Sequence, residues 1–469
     1  MNLDKATVSF TVHDKAIRQP LTTCGGKMHN KPIVSKFGGS SLSDAEQIKK
    51  VIEIIRKDSG RRYIVVSAPG KRAGMDDEKI TDLLIACHDL NENGEAFTTE
   101  FDTITGRFRE IVSGLELTLD IDGLLSEIRQ AIQQGATLDY VRSRGEFLNA
   151  QIIAEALGYE FADAKDLVHF DENGDFDMKK SFIAISRFSL KCKRVVIPGY
   201  YGAMPDGSIK TFDRGGSDTT GAVVAHGVGA DLYENWSDTP VLMADPKVIP
   251  EAKVIRLMTH GELLELSDGG AKVFHRDAIT PALELGIPIR ILNTNDPNDE
   301  GTLVVKERGK DEQHPYPITG LSGKRFIVVT VGKRGMNQEV GFMWKVLATM
   351  AQFGINVQHF PGSNNTVSMV IEKDTVDMHA LTLAIESVRI EHRPDMITRD
   401  DDIGVITVVG QGMVSAPGVL ATLTNVLSKN KINIRMFNQG ALELMITVGV
   451  KVKRMKDAIR AIYEAFVKE

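Results

Sequence analysis

The junction Lys36-Phe37-Gly38-Gly39-Ser40-Ser41 constrains this chain more than any other stretch. Before it lies an extended run, Pro32-Ile33-Val34. After it, Ala45, Ile48, Val51, Ile52 and Ile55 recur at helical spacing behind Ser43-x-x-Glu46, the pattern of a capping box. A strand must therefore turn sharply into a helix. Glycines let the turning backbone come close to a ligand. A helix start presents free N–H groups and a partial positive charge to an anion. Lysine, two glycines and two hydroxyls at such a corner suit a phosphoryl group. The Walker loop carries its lysine after the glycines; here the lysine comes first, so the commonest phosphate loop is excluded.

The rest of the chain shows what this corner is built into. With 469 residues, the sequence is too long for one ordinary core, and two to four domains are expected. Strand and helix patterns alternate from 31 to about 306, which points to a parallel α/β sheet. Tyr63-Ile64-Val65-Val66-Ser67, Val195-Val196-Ile197 and Ile287-Pro288-Ile289-Arg290-Ile291 read as buried strands, and Asp206-Gly207 as a hairpin turn. A charged stretch over 307–314 reads as a linker. Beyond it the pattern changes to two βαββα units. The first places strands at 326–331, 355–359 and 366–371, with helices at 341–353 and 375–388. The second places strands at 404–409, 432–437 and 443–448, with helices at 417–429 and 455–467. The second unit lacks a fourth strand, and a strand donated from 316–320 would fill its open edge.

Composition narrows the class. A hydrophobic fraction of 42% with 25% charged residues is that of a soluble globular protein. The net charge of -7, with no basic block against it, argues against a nucleic-acid partner. Cys24, Cys87 and Cys192 are scattered, which suggests neither a disulfide framework nor a zinc site and fits a reducing cytoplasm. No apolar run is long enough to span a membrane. Residues 1–30 are interrupted by charges and read as a polar extension rather than a secretory signal.

Further candidate chemistry lies along the first part of the chain. Arg214-Gly215-Gly216-Ser217-Asp218 precedes a helix at 221–226: an arginine fork suits a carboxylate or phosphate, and Asp218 an amine or ion. Read alone, the same residues make a Gly-rich turn with an N-capping aspartate. Ser143-Arg144-Gly145-Glu146 opens an amphipathic helix, and Glu146 is either a capping-turn acid or a substrate group. Lys272, after Gly269-Gly270, is a surface lysine or a phosphate ligand, and His275 by itself reads as structural. The acidic run 171–177 reads as a solvated loop. Taken together, two lysines and an arginine beside Gly-rich turns neutralise phosphoryl charge, and the carboxylates read an ammonium.

These segments, in this order, resemble the aspartate kinases of the amino acid kinase family. Lys36–Ser41, Ser143–Glu146, Arg214–Asp218, Ala244-Asp245-Pro246 and Gly270–His275 carry the likeness. Val66–Lys71, Thr81-Asp82-Leu83-Leu84 and Met336-Asn337-x-Glu339-Val340-Gly341-Phe342 extend it from Pro32 to the C-terminus. The resemblance implies a parallel-rich sheet sandwiched by helices (31–306), then two ferredoxin-like (βαββαβ) ACT domains at 315–399 and 400–469. It implies MgATP-dependent phosphorylation of L-aspartate, the first step toward lysine, threonine and methionine. Lys36 and the amides of Gly38, Gly39 and Ser40 would hold the phosphoryl group. Arg214 would bind the substrate carboxylate, Glu146 its amine, Ser41 the substrate or phosphate, and Asp218 would assist. Ser237, Asp238, Lys247 and Lys272 would serve the nucleotide. A lysine or threonine effector and a homo-oligomer formed through the ACT domains are also implied. Within the same fold, a kinase for another amino acid and an effector-binding protein with an impaired kinase domain are the competing readings. Three positions depart from the family pattern: the loop 236–243 is one residue short and lacks a glycine, Arg276 replaces a proline, and Met445 stands where asparagine is typical.

Overall fold

A computed structural model describes residues 31–72, 74, 77–213, 215–271, 278–309, 315–414 and 416–468. Its first strand, β1 (Ile33–Phe37), is buried at every position. It lies inside an eight-stranded sheet with β2 (Arg61–Val66), β3 (Glu160–Phe161), β4 (Val195–Pro198), β7 (Leu232–Ser237), β8 (Leu257–Thr259), β9 (Ile289–Asn293) and β10 (Thr302–Val305). The strand order is β3-β4-β2-β1-β7-β9-β10-β8. Pairing is parallel from β3 through β9, and only β10 turns antiparallel against β9. The expected hairpin at Asp206-Gly207 is present as β5 (Tyr201–Ala203) and β6 (Ile209–Thr211).

Strand alternation divides this sheet into two apolar faces. Val34, Tyr63, Val65, Ile197, Tyr233 and Ile289 look one way and Ile64, Val66, Val196 and Trp236 the other. Helices α1 (Ala45–Lys57), α2 (Ile80–Glu92), α3 (Thr98–Gly114), α4 (Ile121–Gln133) and α5 (Leu138–Leu157) supply the core of the second face. Helices α6 (Met178–Lys191), α7 (Gly216–Val228), α8 (His260–Asp268) and α9 (Thr280–Glu284) supply that of the first.

Local details differ from the sequence reading. The cap of α1 is Asp44, whose carboxylate accepts from the Gln47 amide at 3.0 Å, while Ser43 donates to Asp44 instead of capping. A charged acceptor at the helix start outcompetes the hydroxyl one residue earlier. Helix α5 begins at Leu138, capped by Thr137, so Ser143–Glu146 lies well inside it rather than opening it. Helix α7 begins at Gly216 behind Gly215 in the left-handed region (φ 63°), five residues before the expected start. Gly215 occupies the cap position there, so Asp218 is a first-turn residue and not the cap.

The C-terminal region forms one five-stranded sheet in the order β12-β11-β13-β15-β14. Two long strands, β11 (Gly320–Gly332) and β13 (Met396–Val409), run antiparallel through both units. The far half of β11 pairs with β12 (Thr366–Glu372), with α10 (Phe342–Gln352) and α11 (Met378–His392) covering that end. The near half of β13 pairs with β15 (Met445–Lys451), which in turn pairs with β14 (Met436–Gln439), with α12 (Val419–Lys429) and α13 (Met455–Tyr463) covering that end. The donated strand expected at 316–320 does not form there: beyond the Thr319 amide, which donates to Val409, the open edge of the second unit is filled by Gly320–Phe326 of β11. The stretch expected as a strand at 355–359 is no strand: it makes one bridge, His359 to Val370, and the next strand of the second unit starts only at Met436. Ile355 and Ile432 turn into the cores just after each helix, which removes those residues from the edge.

One apolar cluster runs without a break from the large sheet into the second unit. Met243, Ile249, Ile255 and Leu266 share it with Ile406, Val408, Ile446, Ile459 and Ile462. Buried Glu262 stitches the same junction. Its carboxylate accepts from the Thr259 amide (2.7 Å), Arg308 (2.8 Å), the Thr319 hydroxyl (2.6 Å) and the Gln411 amide (2.7 Å). Burial alone would raise its pKa. The Thr319 hydroxyl, the Gln411 and Thr259 amides and the Arg308 charge together hold it below the ordinary value. Among the described residues no helix is long and apolar enough to cross a membrane.

Candidate active site

The candidate site lies at the carboxyl ends of β1 and β7, where an open parallel sheet places its ligands. Beyond Phe37 the chain makes a short 3-10 turn, Gly39–Leu42. This turn is pressed against the loop after β2: the Gly70 amide donates to the Gly39 carbonyl at 2.8 Å. A Cβ on Gly39 would stand 2.8 Å from the Ala68 carbonyl oxygen, so the glycine is required by the close approach of two backbones. The Gly38 amide is already committed to the Trp236 carbonyl at 3.1 Å. This corrects the expectation that it holds phosphate. The Gly39 and Ser40 amides, at the start of the turn, make no such bond among the described residues.

Lys36 is 8% exposed, and its ammonium meets Asp218 Oδ1 at 2.6 Å. Asp218 stands in the first turn of α7, where the helix start favours a negative charge. Lys36, Gly38, Ser40, Asp218 and Ser237 line one cleft of ≈ 490 Å³ open to solvent, together with Asn235, Trp236, Thr239, Pro240, Val241 and Ile291. Asp238 is exposed beside Ser237. Lys247 is exposed in a turn closed by its own amide on Asp245 and is not one of the lining residues. The Ser41 hydroxyl is 1% exposed and bonded to Thr294 at 2.7 Å, behind the turn and not in the lining. Arg214, Lys272 and Arg276 lie outside the described residues.

Glu146 is the unusual carboxyl of the region. It is 5% exposed on α5, and Oε2 has no hydrogen-bond partner among the described residues. Burial pushes its pKa up to about 8, against the pull of the Ala68 amide and the charges of Arg144 and Lys36. Its place inside a helix rules out the capping role. Glu146 is not in the cleft lining, but the Lys36 charge reaches it, and a buried acid left short of a partner suits a cationic group that arrives with a ligand. Neighbouring Arg144 is held between the rings of Tyr140 and Phe147 at 4.4 and 4.5 Å.

Sequence reasoning missed the support from β7. Glu234 is 3% exposed and accepts from Ser35 (2.9 Å), Arg61 (2.8 Å) and the Trp236 indole (3.0 Å). Trp236 in turn stacks on Phe37 at 5.8 Å, which fixes the floor beneath the glycines. The available signal was an acid and an amide, Glu234 and Asn235, inside an otherwise apolar strand pattern.

Known proteins bear on this geometry. The amino acid kinase family matches residues 31–293, and an ACT domain matches residues 406–466. Aspartokinase 3 of Bacillus subtilis (strain 168) is 32% identical over 449 residues, covering 92% of this chain and 98% of that protein. The crystal structure of Clostridium acetobutylicum aspartate kinase superposes with a TM-score of 0.82 at 43% identity, covering 93% of this chain and 100% of that one. E. coli aspartokinase III, solved with aspartate and ADP in its R-state, shares the fold at 24% identity and a TM-score of 0.74, covering 94% of this chain and 100% of that one. On the family match and the Bacillus relative, the chain belongs to the aspartokinases of the amino acid kinase family.

Proposed function

We propose that this cleft transfers the γ-phosphoryl group of MgATP to the side-chain carboxylate of L-aspartate, giving ADP and 4-phospho-L-aspartate. The observation that carries the reading is the Lys36–Asp218 pair at 2.6 Å, held over the glycine turn in the cleft. In the transfer a carboxylate oxygen of aspartate attacks the γ-phosphorus. The bond from that phosphorus to the bridging oxygen breaks, and ADP leaves with the electron pair. No base is needed, because a carboxylate at neutral pH is already ionised. Lys36 and the amides of Gly39 and Ser40 neutralise the phosphoryl oxygens, and Asp218 aims Lys36 and assists at the substrate. Glu146 receives the aspartate ammonium and Arg214 a substrate carboxylate. Ser237, Asp238, Lys247 and Lys272 serve the nucleotide. Magnesium would come with the ATP phosphates and would supply further neutralisation of phosphoryl charge. Among the described residues no group of three or more His, Cys, Asp or Glu side chains could hold it alone.

In the same reading the C-terminal units are the regulatory part, with 31–306 as the catalytic domain and 315–399 and 400–469 as the ACT pair. Val340 and Trp344, 94% and 72% exposed at the start of α10, support a subunit contact there. Lysine or threonine is the effector class, and calorimetric titration with each separately identifies which. The function itself is tested with ATP, magnesium and hydroxylamine, offering aspartate, glutamate or no acceptor. Aspartyl hydroxamate forms with aspartate alone and falls heavily in a folded Lys36→Ala variant. No hydroxamate from pure folded protein, or near-normal turnover in Lys36→Ala, refutes the assignment.

A further inference from the structure

β1 and β7 are parallel neighbours, and their register sets Lys36 directly beside Asn235. Paired residues of adjacent strands project from the same face of the sheet. The next pair along, Phe37 and Trp236, stacks on the opposite face. Lys36 and Asn235 therefore both look toward α7, and both reach the same atom. Lys36 Nζ lies 2.6 Å and Asn235 Nδ2 2.7 Å from Asp218 Oδ1. A carboxylate can only accept, so the amide nitrogen of Asn235 is the group that faces it.

One pleat earlier, Tyr233 completes the arrangement. Its hydroxyl donates to the backbone carbonyl of Asp218 at 3.1 Å, and the Asn235 amide lies 3.3 Å from that hydroxyl. Tyr233 is fully buried and Asn235 is 4% exposed. Helix α7 comes this close because residue 221 is glycine: a Cβ there would stand 2.5 Å from the Tyr233 oxygen. Strand β7 thus pins the backbone of Asp218 through one residue and its side chain through another. Asp218 Oδ2 takes no hydrogen bond among the described residues, and the side chain keeps 20% of its surface exposed in the cleft.

We propose that Asn235 is a positioning residue for phosphoryl transfer. It fixes the Asp218 carboxylate so that one oxygen carries Lys36 and the other is presented to the bound substrates. Lys36 by itself leaves the carboxylate free to rotate about its own axis and share either oxygen. The second donor on Oδ1, held by a buried strand, removes that freedom. Preorganisation of this kind acts on turnover rather than on nucleotide affinity. The inference rests on the proposed role of Asp218 at the reacting group.

The test is steady-state kinetics of full-length Asn235→Leu, Asn235→Asp and Asp218→Asn with MgATP and aspartate, alongside thermal melting. Asn235→Leu keeps the side-chain size and removes the donor. Its kcat is expected to fall about 10- to 100-fold, with the KM for ATP within about threefold of wild type. Asn235→Asp keeps the shape and sets a second carboxylate against Asp218, and its kcat at neutral pH is expected to fall further. It also serves if the leucine variant does not fold. A kcat within twofold of wild type in either Asn235 variant, with Asp218→Asn inactive, overturns the inference and leaves the role of Asp218 standing. A raised KM and lowered melting temperature with unchanged kcat also overturn it, by showing a purely structural asparagine. Near-normal kcat in Asp218→Asn removes the reading beneath it.

Discussion

Glu146 is expected to make the protein less stable as pH rises, and Glu146→Gln removes that dependence. Burial pushes the carboxyl up to about 8 in the fold, against 4.5 for a solvent-exposed glutamate. The native state therefore keeps a proton that the unfolded chain gives up, so unfolding releases a proton between those values. Stability from this group is complete below 4.5, declines through the interval, and is gone above about 8. At about 1.4 kcal/mol per pH unit, the whole interval is worth about 5 kcal/mol. That is an upper value, because water entry and local relaxation reduce the real cost of a buried charge. Glutamine copies the neutral carboxyl at every pH. Melting wild type and Glu146→Gln from pH 5 to pH 9, without substrate, is the assay. The two curves should diverge in favour of the variant from pH 5 to about 8 and differ by a constant above it. Parallel curves across the range would refute the argument that burial keeps this acid neutral.

Two further outcomes follow from the same structure. At pH 7 an acid titrating near 8 holds roughly 0.9 proton, and an arriving ammonium requires it ionised. L-aspartate binding should therefore release close to one proton, measured by calorimetry in buffers of different ionisation enthalpy. A Glu146→Gln protein that releases as much counts against Glu146 as the ammonium site. Glu262→Ala should cost about 3–5 kcal/mol, since it strips Arg308 and the Gln411 amide of a buried charged acceptor. A denaturation midpoint equivalent to less than about 1 kcal/mol from wild type removes Glu262 as the fastening of the two regions.

Much of this architecture was legible because periodicity is local. Apolar spacing after Ser41 marks α1, and short apolar runs mark β2, β4 and β9. The glycine corner was legible for the same reason: only a sharp strand-to-helix turn needs that pattern. Boundaries were less legible where competing signals sit one residue apart, as with Ser43 and Asp44, or where a helix starts well before its conspicuous motif, as in α5. The C-terminal repeat was visible, but not that its units share β11 and β13. A long strand and two short ones look alike along the chain until their partners are known.

The sequence by itself determined the chemistry available: a lysine before two glycines, an arginine and an acid around a second glycine pair, and an acid at Glu146. Only the tertiary structure decided what those groups do to one another. It turned the Gly38 amide inward to Trp236, buried Glu146 until its proton became hard to lose, and set Asn235 beside Lys36 on one carboxylate oxygen. The physical reason is that burial, register and the approach of two backbones depend on residues distant in sequence. Those terms set a pKa and aim a hydrogen bond, and no local pattern records them.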